Sequence, residues 1–204
     1  MSFILSLQGC MAVGKTSAVE YIQSHASYVN ISYETNTDII EQVRARRLNK
    51  NVFNDYIQIQ KLWIQNEIAR WELAQKSNCS IMDFGAEEIE FYTLNYAKTI
   101  GADWDVEAAL HRELEQLRKC MPYRILYLDA CEETLRRHKE NDASRSRTFF
   151  EYHLKYLLPL KREWFSGKEN VDLLKVDGLT KDEVGQQVIE WVDRCIGRHA
   201  KTPE

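Results

Sequence analysis

Residues 3–23, FILSLQGCMAVGKTSAVEYIQ, constrain the fold of this chain more than any other stretch. Within them Gly9, Gly14, Lys15 and Thr16 stand at the spacing G-x-x-x-x-G-K-[ST]. Four fixed positions arise by chance in on the order of one chain in a hundred of this length, so the flanks decide. Before the loop, Phe3-Ile4-Leu5-Ser6-Leu7 is a short apolar run suited to a buried parallel strand. After it, Ala18, Val19, Tyr21 and Ile22 recur at helical spacing. Strand, glycine-rich turn and helix are what phosphate binding requires: the turn aims successive backbone N–H groups at one point, and the helix N-terminus adds about half a positive charge there. Gly9, Met11, Ala12, Val13, Gly14, Lys15, Thr16 and Ser17 are therefore the candidate nucleotide-binding residues. Lys15 has the length to reach the outer phosphates, and the Thr16 hydroxyl is a candidate Mg²⁺ ligand.

Four further strands are expected over 28–33, 79–84, 124–129 and 172–176. Helical patterns separate them, over 38–48, 52–76, 87–100, 105–120, 132–140 and 148–165. A last helix over 181–196 has Thr180 as N-cap and Gly197 as its stop. Alternation of this kind predicts an α/β fold, a five-stranded parallel sheet with helices on both faces. The 204 residues form one domain, 1–204, without repeats or a low-complexity linker. A net charge of −4 argues against a general nucleic-acid binder, and no apolar run approaches a membrane span. The chain enters its first strand at once, so no leader peptide is expected. Five scattered cysteines without a CxxC read as free thiols of a reducing cytoplasm. Apolar positions exposed on long helices make a homodimer an unsurprising assembly.

Ligands of open parallel sheets gather beyond the carboxyl ends of the strands. The second strand leads into Tyr33-Glu34-Thr35-Asn36. Glu34 is placed to accept the proton of an acceptor hydroxyl, with Thr35 and Asn36 available to cap the next helix; the alternatives are a solvent-facing acid or a cap for that helix. The third strand reaches Asp83, a candidate magnesium carboxylate or else a cap for the following helix. After the fourth, residues 132–147 carry four arginines, and Arg145 and Arg147 fall in a small polar loop. Such a loop is a candidate lid over 140–148, its arginines stabilising the charge that phosphoryl transfer spreads over oxygen; the alternative is a solvated basic face. Loop 176–180 is either a plain turn or a cover for the nucleotide base. Tyr56, Gln60 and Trp63 on the long helix are candidate acceptor contacts, against the ordinary reading of an aromatic stripe as core, which suits Trp71.

Taken in order, GCMAVGKT, the Tyr33-Glu34-Thr35 step, QIQKLW, MDFG and RHKENDASRSR with Tyr152 and Tyr156 after it resemble the P-loop kinases of the deoxynucleoside kinase and thymidylate kinase group. The resemblance covers most of the chain and implies a three-layer P-loop kinase fold with a lid. It implies ATP and Mg²⁺ as cofactors, a small-molecule acceptor held by helices over 34–77, and transfer of the γ-phosphate to a nucleoside or nucleoside monophosphate. Glu34 maps to the family base, Arg145 and Arg147 to the lid arginines, and the substrate-reading Gln to Gln58 or Gln60. The family places an arginine after the acid of the third strand. Here that position is Phe84, a candidate acceptor contact, which opens the substrate class to a non-nucleoside metabolite or antibiotic. A regulatory protein that binds ATP without turnover is the reading from another class. A GTPase would require N-K-x-D and D-x-x-G, and neither is in place.

Overall fold

A computed structural model describes residues 2–141 and 149–199. Five strands, β1 (Phe3–Gly9), β2 (Asn30–Ser32), β3 (Cys79–Asp83), β4 (Arg124–Asp129) and β5 (Val171–Lys175), form one sheet in the order β2-β3-β1-β4-β5. All the pairings are parallel, and the register sets Leu7 beside Asp83 and Gln8 beside Tyr127. β1 is therefore central, and the loop that follows it opens between the ends of β3 and β4.

Alternation along β1 divides the two faces. Phe3, Leu5 and Leu7 point toward a core shared with α1 (Lys15–His25) and the final helix, through Ala18, Val19 and Ile22 on one and Val184, Val188 and Trp191 on the other. The opposite face of the sheet is partly polar. Ser6 and Gln8 both donate to the buried Glu87 carboxylate, the latter at 2.6 Å. That face is covered by α3 (Phe53–Ala74), α4 (Ala86–Thr99) and α9 (Leu158–Ser166), with α2 (Thr37–Ala45) packed on α3 at the rim. The remaining helices are α5 (Val106–Ala109), α6 (His111–Arg118), α7 (Glu132–Glu140), α8 (Phe150–Tyr152) and α10 (Lys181–His199).

Several expected boundaries move, each for a local reason. The strand over 28–33 shortens to Asn30–Ser32, since β2 is an edge strand with a single neighbour. The helix over 105–120 divides at Leu110, whose backbone leaves the helical region while its side chain is fully buried. The helix over 148–165 begins at Phe150 and contains a π-helical turn, His153–Leu157, just before Pro159. A proline ring crowds the carbonyl four residues earlier, and a widened turn relieves that contact. Thr180 caps α10, exchanging hydrogen bonds with Glu183 as a capping box does. Gly197 does not end α10, which continues to His199; the glycine lacks the left-handed backbone of a C-terminal cap. Asn36 stands at the N-cap of α2 without a side-chain cap bond, and Asp83 does not cap α4, where Gly85 holds that position.

Candidate active site

The loop after β1 is shaped by backbone torsions. Gly9, Ala12 and Gly14 have φ of +144°, +69° and +105°. A side chain at Gly9 would meet the Leu128 carbonyl oxygen at 2.5 Å and Val13 at 2.9 Å, so β4 forbids anything larger there. Gly14 begins α1 without a side-chain cap, which leaves the first N–H groups of the helix to a ligand. Lys15 folds back over the loop, its Nζ donating at 3.1 Å to the carbonyls of Gly9 and Cys10. Burial, followed by the charge of Lys161, lowers the Lys15 pKa to about 8. The charge of an anion entering the loop opposes both effects.

This loop is one end of a cavity of about 1220 Å³, beyond the usual range of about 300–1,000 Å³ for a single small ligand. Of the candidate residues that the structure describes, the loop residues from Gly9 and Met11 to Ser17, then Glu34, Tyr56, Gln60, Trp63, Asp83 and Phe84 line it. Arg145 and Arg147, with most of the proposed lid, lie outside the described residues. Of the two glutamines, Gln60 faces the cavity, buried and accepting from Thr93 Oγ1 at 2.8 Å, whereas Gln58 is exposed. Tyr56 is fully buried, and its hydroxyl donates to the carbonyls of Tyr92 and Thr93, each at 3.0 Å. It is thus a wall of the chamber as well as part of the core. Trp71 packs half-buried between two core clusters, as an aromatic stripe should.

The acids stand at the strand ends. Asp83 Oδ1 is buried with no hydrogen-bond partner among the described residues. A buried carboxylate oxygen of this kind calls for a donor or a cation, and with the Thr16 hydroxyl on the same cavity the oxygen donors suit a hard ion such as Mg²⁺. Glu34 is open to the water of the cleft yet crowded by its walls. That crowding first, then the Glu88 carboxylate, raises its pKa above the ordinary 4.5.

Residues that sequence reading did not single out hold these groups in place. Arg70 of α3, buried, receives the Glu67 carboxylate in a fork at 2.9 and 3.0 Å. Its remaining N–H groups donate to the carbonyls of Ser32 at 3.0 Å, Asp83 at 3.2 Å and Phe84. One guanidinium thus ties the end of β2, which leads to Glu34, to the end of β3. Burial raises the Glu67 carboxyl and Arg70 pulls it back. Phe84 has φ of +57°, a costly conformation for an aromatic residue. Its carbonyl is fixed by Arg70, its N–H by Leu7 O at 3.2 Å, and its ring by the Lys15 ammonium 4.2 Å from the centroid. His138 of α7 contacts the Ala12 carbonyl at 3.0 Å and joins that helix to the glycine-rich loop. The faint signal in the sequence was position: Glu67 and Arg70 fall on the same helical stripe as Ile64 and Ala74, where charge is unexpected.

A parallel sheet in this order, with the glycine-rich loop after its central strand and an acid ending the neighbouring one, is the P-loop kinase fold. Deoxyadenosine kinase from M. mycoides, solved with products dCMP and dCDP, matches with a TM-score of 0.71 at 12% identity, covering 94% of this chain and 100% of that one. Thymidylate kinase from Candida albicans matches with a TM-score of 0.65 at 14% identity, covering 95% and 92%. At the level of sequence, the model of the family described as AAA domain matches residues 5–158, and the chain belongs to that family. No curated protein matches it. Among the described residues, no helix is long and apolar enough to cross a membrane.

Proposed function

We propose that this protein transfers the γ-phosphoryl group of ATP to a small-molecule acceptor, a nucleoside or nucleoside monophosphate. The observation that carries this reading is one cavity whose lining includes both the phosphate loop and residues of α2, α3 and α4, with Glu34 and Asp83 among them. A protein that only bound ATP would have no use for the rest of that cavity. Lys15 would leave the Gly9 and Cys10 carbonyls for the outer phosphates. Thr16 and Asp83 would hold Mg²⁺, which neutralises phosphate charge when bound. Gln60, Trp63 and Phe84 would orient the acceptor, Glu34 would take the proton of its hydroxyl, and Arg145 and Arg147 would close on the group in transfer. Positioning and charge stabilisation supply most of the acceleration in such transfers, and a general base adds about 10² to 10⁴.

The test is ADP release from ATP·Mg²⁺ across nucleosides, nucleoside monophosphates, sugars and aminoglycosides. Turnover with one nucleoside or monophosphate class is expected; activity confined to a non-nucleoside moves the acceptor, and silence with every acceptor despite tight ATP binding overturns the reading. The pH dependence of kcat/KM follows from the free enzyme. Glu34 must be ionised, and its raised pKa puts the acid limb above pH 4.5. Lys15 must be protonated, and its charge is lost as pH rises through about 8. A bell between these limbs is expected, with Lys15→Arg moving the alkaline one upward.

A further inference from the structure

Lys161 is a lysine where the fold has least reason to keep one. It lies on α9 between Leu158 and Phe165, among the buried residues of that helix, and is 5% exposed. Its Nζ is 2.7 Å from the Glu88 carboxylate and faces the same cavity as the phosphate loop. The ring of Phe84 lies 5.1 Å from that Nζ, and the same ring lies 4.2 Å from the Nζ of Lys15. Two buried ammonium groups thus share one aromatic side chain. Like charges so placed repel: Lys161 is the strongest charge acting against the Lys15 proton, and it also helps hold the neighbouring His153 at a pKa of about 4. If the pair Lys161–Glu88 served only to tie α9 to α4, its place beside Lys15 would be its worst feature. An apolar contact would tie the helices without that repulsion. An anion that reaches both ammonium groups turns the repulsion into attraction, and the cavity opens to both.

We propose that Lys161 is a catalytic residue, a second phosphate-contacting cation that donates to a non-bridging oxygen of the phosphoryl group in transfer while Lys15 holds the outer phosphates of the donor. This rests on the phosphotransferase reading. In the step, the bond from phosphorus to the bridging oxygen breaks and leaves its electron pair on ADP. The bond from phosphorus to the acceptor oxygen forms, and the acceptor proton passes to Glu34. Lys161 keeps its proton throughout and contributes charge and direction. The ring of Phe84 is in contact with both cations.

The test is binding, so no acceptor needs to be known. ADP·Mg²⁺ is titrated by calorimetry into the whole protein with and without beryllofluoride, which occupies the place of the γ-phosphate. Lys161→Met alone strands Glu88 and can unfold the protein, so K161M/E88Q, which removes both charges, is measured beside it. The double variant is expected to bind ADP within about twofold of the native protein yet to lose on the order of a hundredfold of the tightening that beryllofluoride confers. Lys161→Arg should retain most of it. Native-like tightening in K161M/E88Q overturns the assignment and leaves Lys161 as the counter-ion of Glu88. A native protein that binds neither ADP nor ATP overturns instead the phosphotransferase reading beneath it.

Discussion

The two ends of the cleft are built on different principles. The phosphate end is backbone: eight consecutive residues, three positive φ angles and the start of one helix. The end proposed for the acceptor is side chain: Glu34 from the segment after β2, Gln60 and Trp63 from α3, and Phe84 after β3. Phosphate is the same in every donor, so a local device of N–H groups suffices to hold it. An acceptor must be distinguished from its neighbours, which takes several directions of approach and therefore several elements. Buried ionic ties, Glu67–Arg70 and Glu88–Lys161, brace the cleft beyond the loop, whereas the loop itself is set by its torsions, the Lys15 bonds to its carbonyls and the His138 contact with Ala12.

If that contrast holds, the largest effect on the fold should come from the acceptor end. Arg70→Met leaves Glu67 buried and unpaired, which is expected to cost about 3–5 kcal/mol in urea unfolding; E67Q/R70M should recover much of the stability without recovering turnover. An unaltered unfolding curve for Arg70→Met would mean that the strand ends are held by something else. At the phosphate end, Lys15→Ala should lower turnover by about 10² to 10³ while the unfolding curve stays in place. Glu34→Gln should cost about a hundredfold with a neutral hydroxyl acceptor, read as kcat, and less with a monophosphate, which is already ionised. Native kcat on a nucleoside would remove Glu34 as the base. Smallest is Tyr56→Phe. It strips the hydroxyl from two buried carbonyls and should lose about 1 kcal/mol of stability, with KM for the acceptor rising more than KM for ATP.

The same contrast explains what could be read from the amino-acid order. Alternating apolar runs and helical stripes carried the sheet and its two covered faces, because burial imposes those periods locally. The loop from Gly9 to Thr16 was legible because its chemistry is contiguous, and Glu34 and Asp83 because strand ends can be counted. The break at Leu110 was not legible, since it accompanies the full burial of that side chain among distant residues. Neither were Arg70 and Lys161. In the sequence they are two of 27 basic residues, indistinguishable from those that face water. Their roles arise only when α3 lays Arg70 across the ends of β2 and β3 and α9 brings Lys161 to the ring of Phe84. The sequence by itself determined the glycine-rich loop proposed for phosphate, because backbone N–H groups in such a turn need no distant partner. Tertiary structure alone decided which buried charges meet there, because the worth of a charge is set by the groups that surround it across the whole fold.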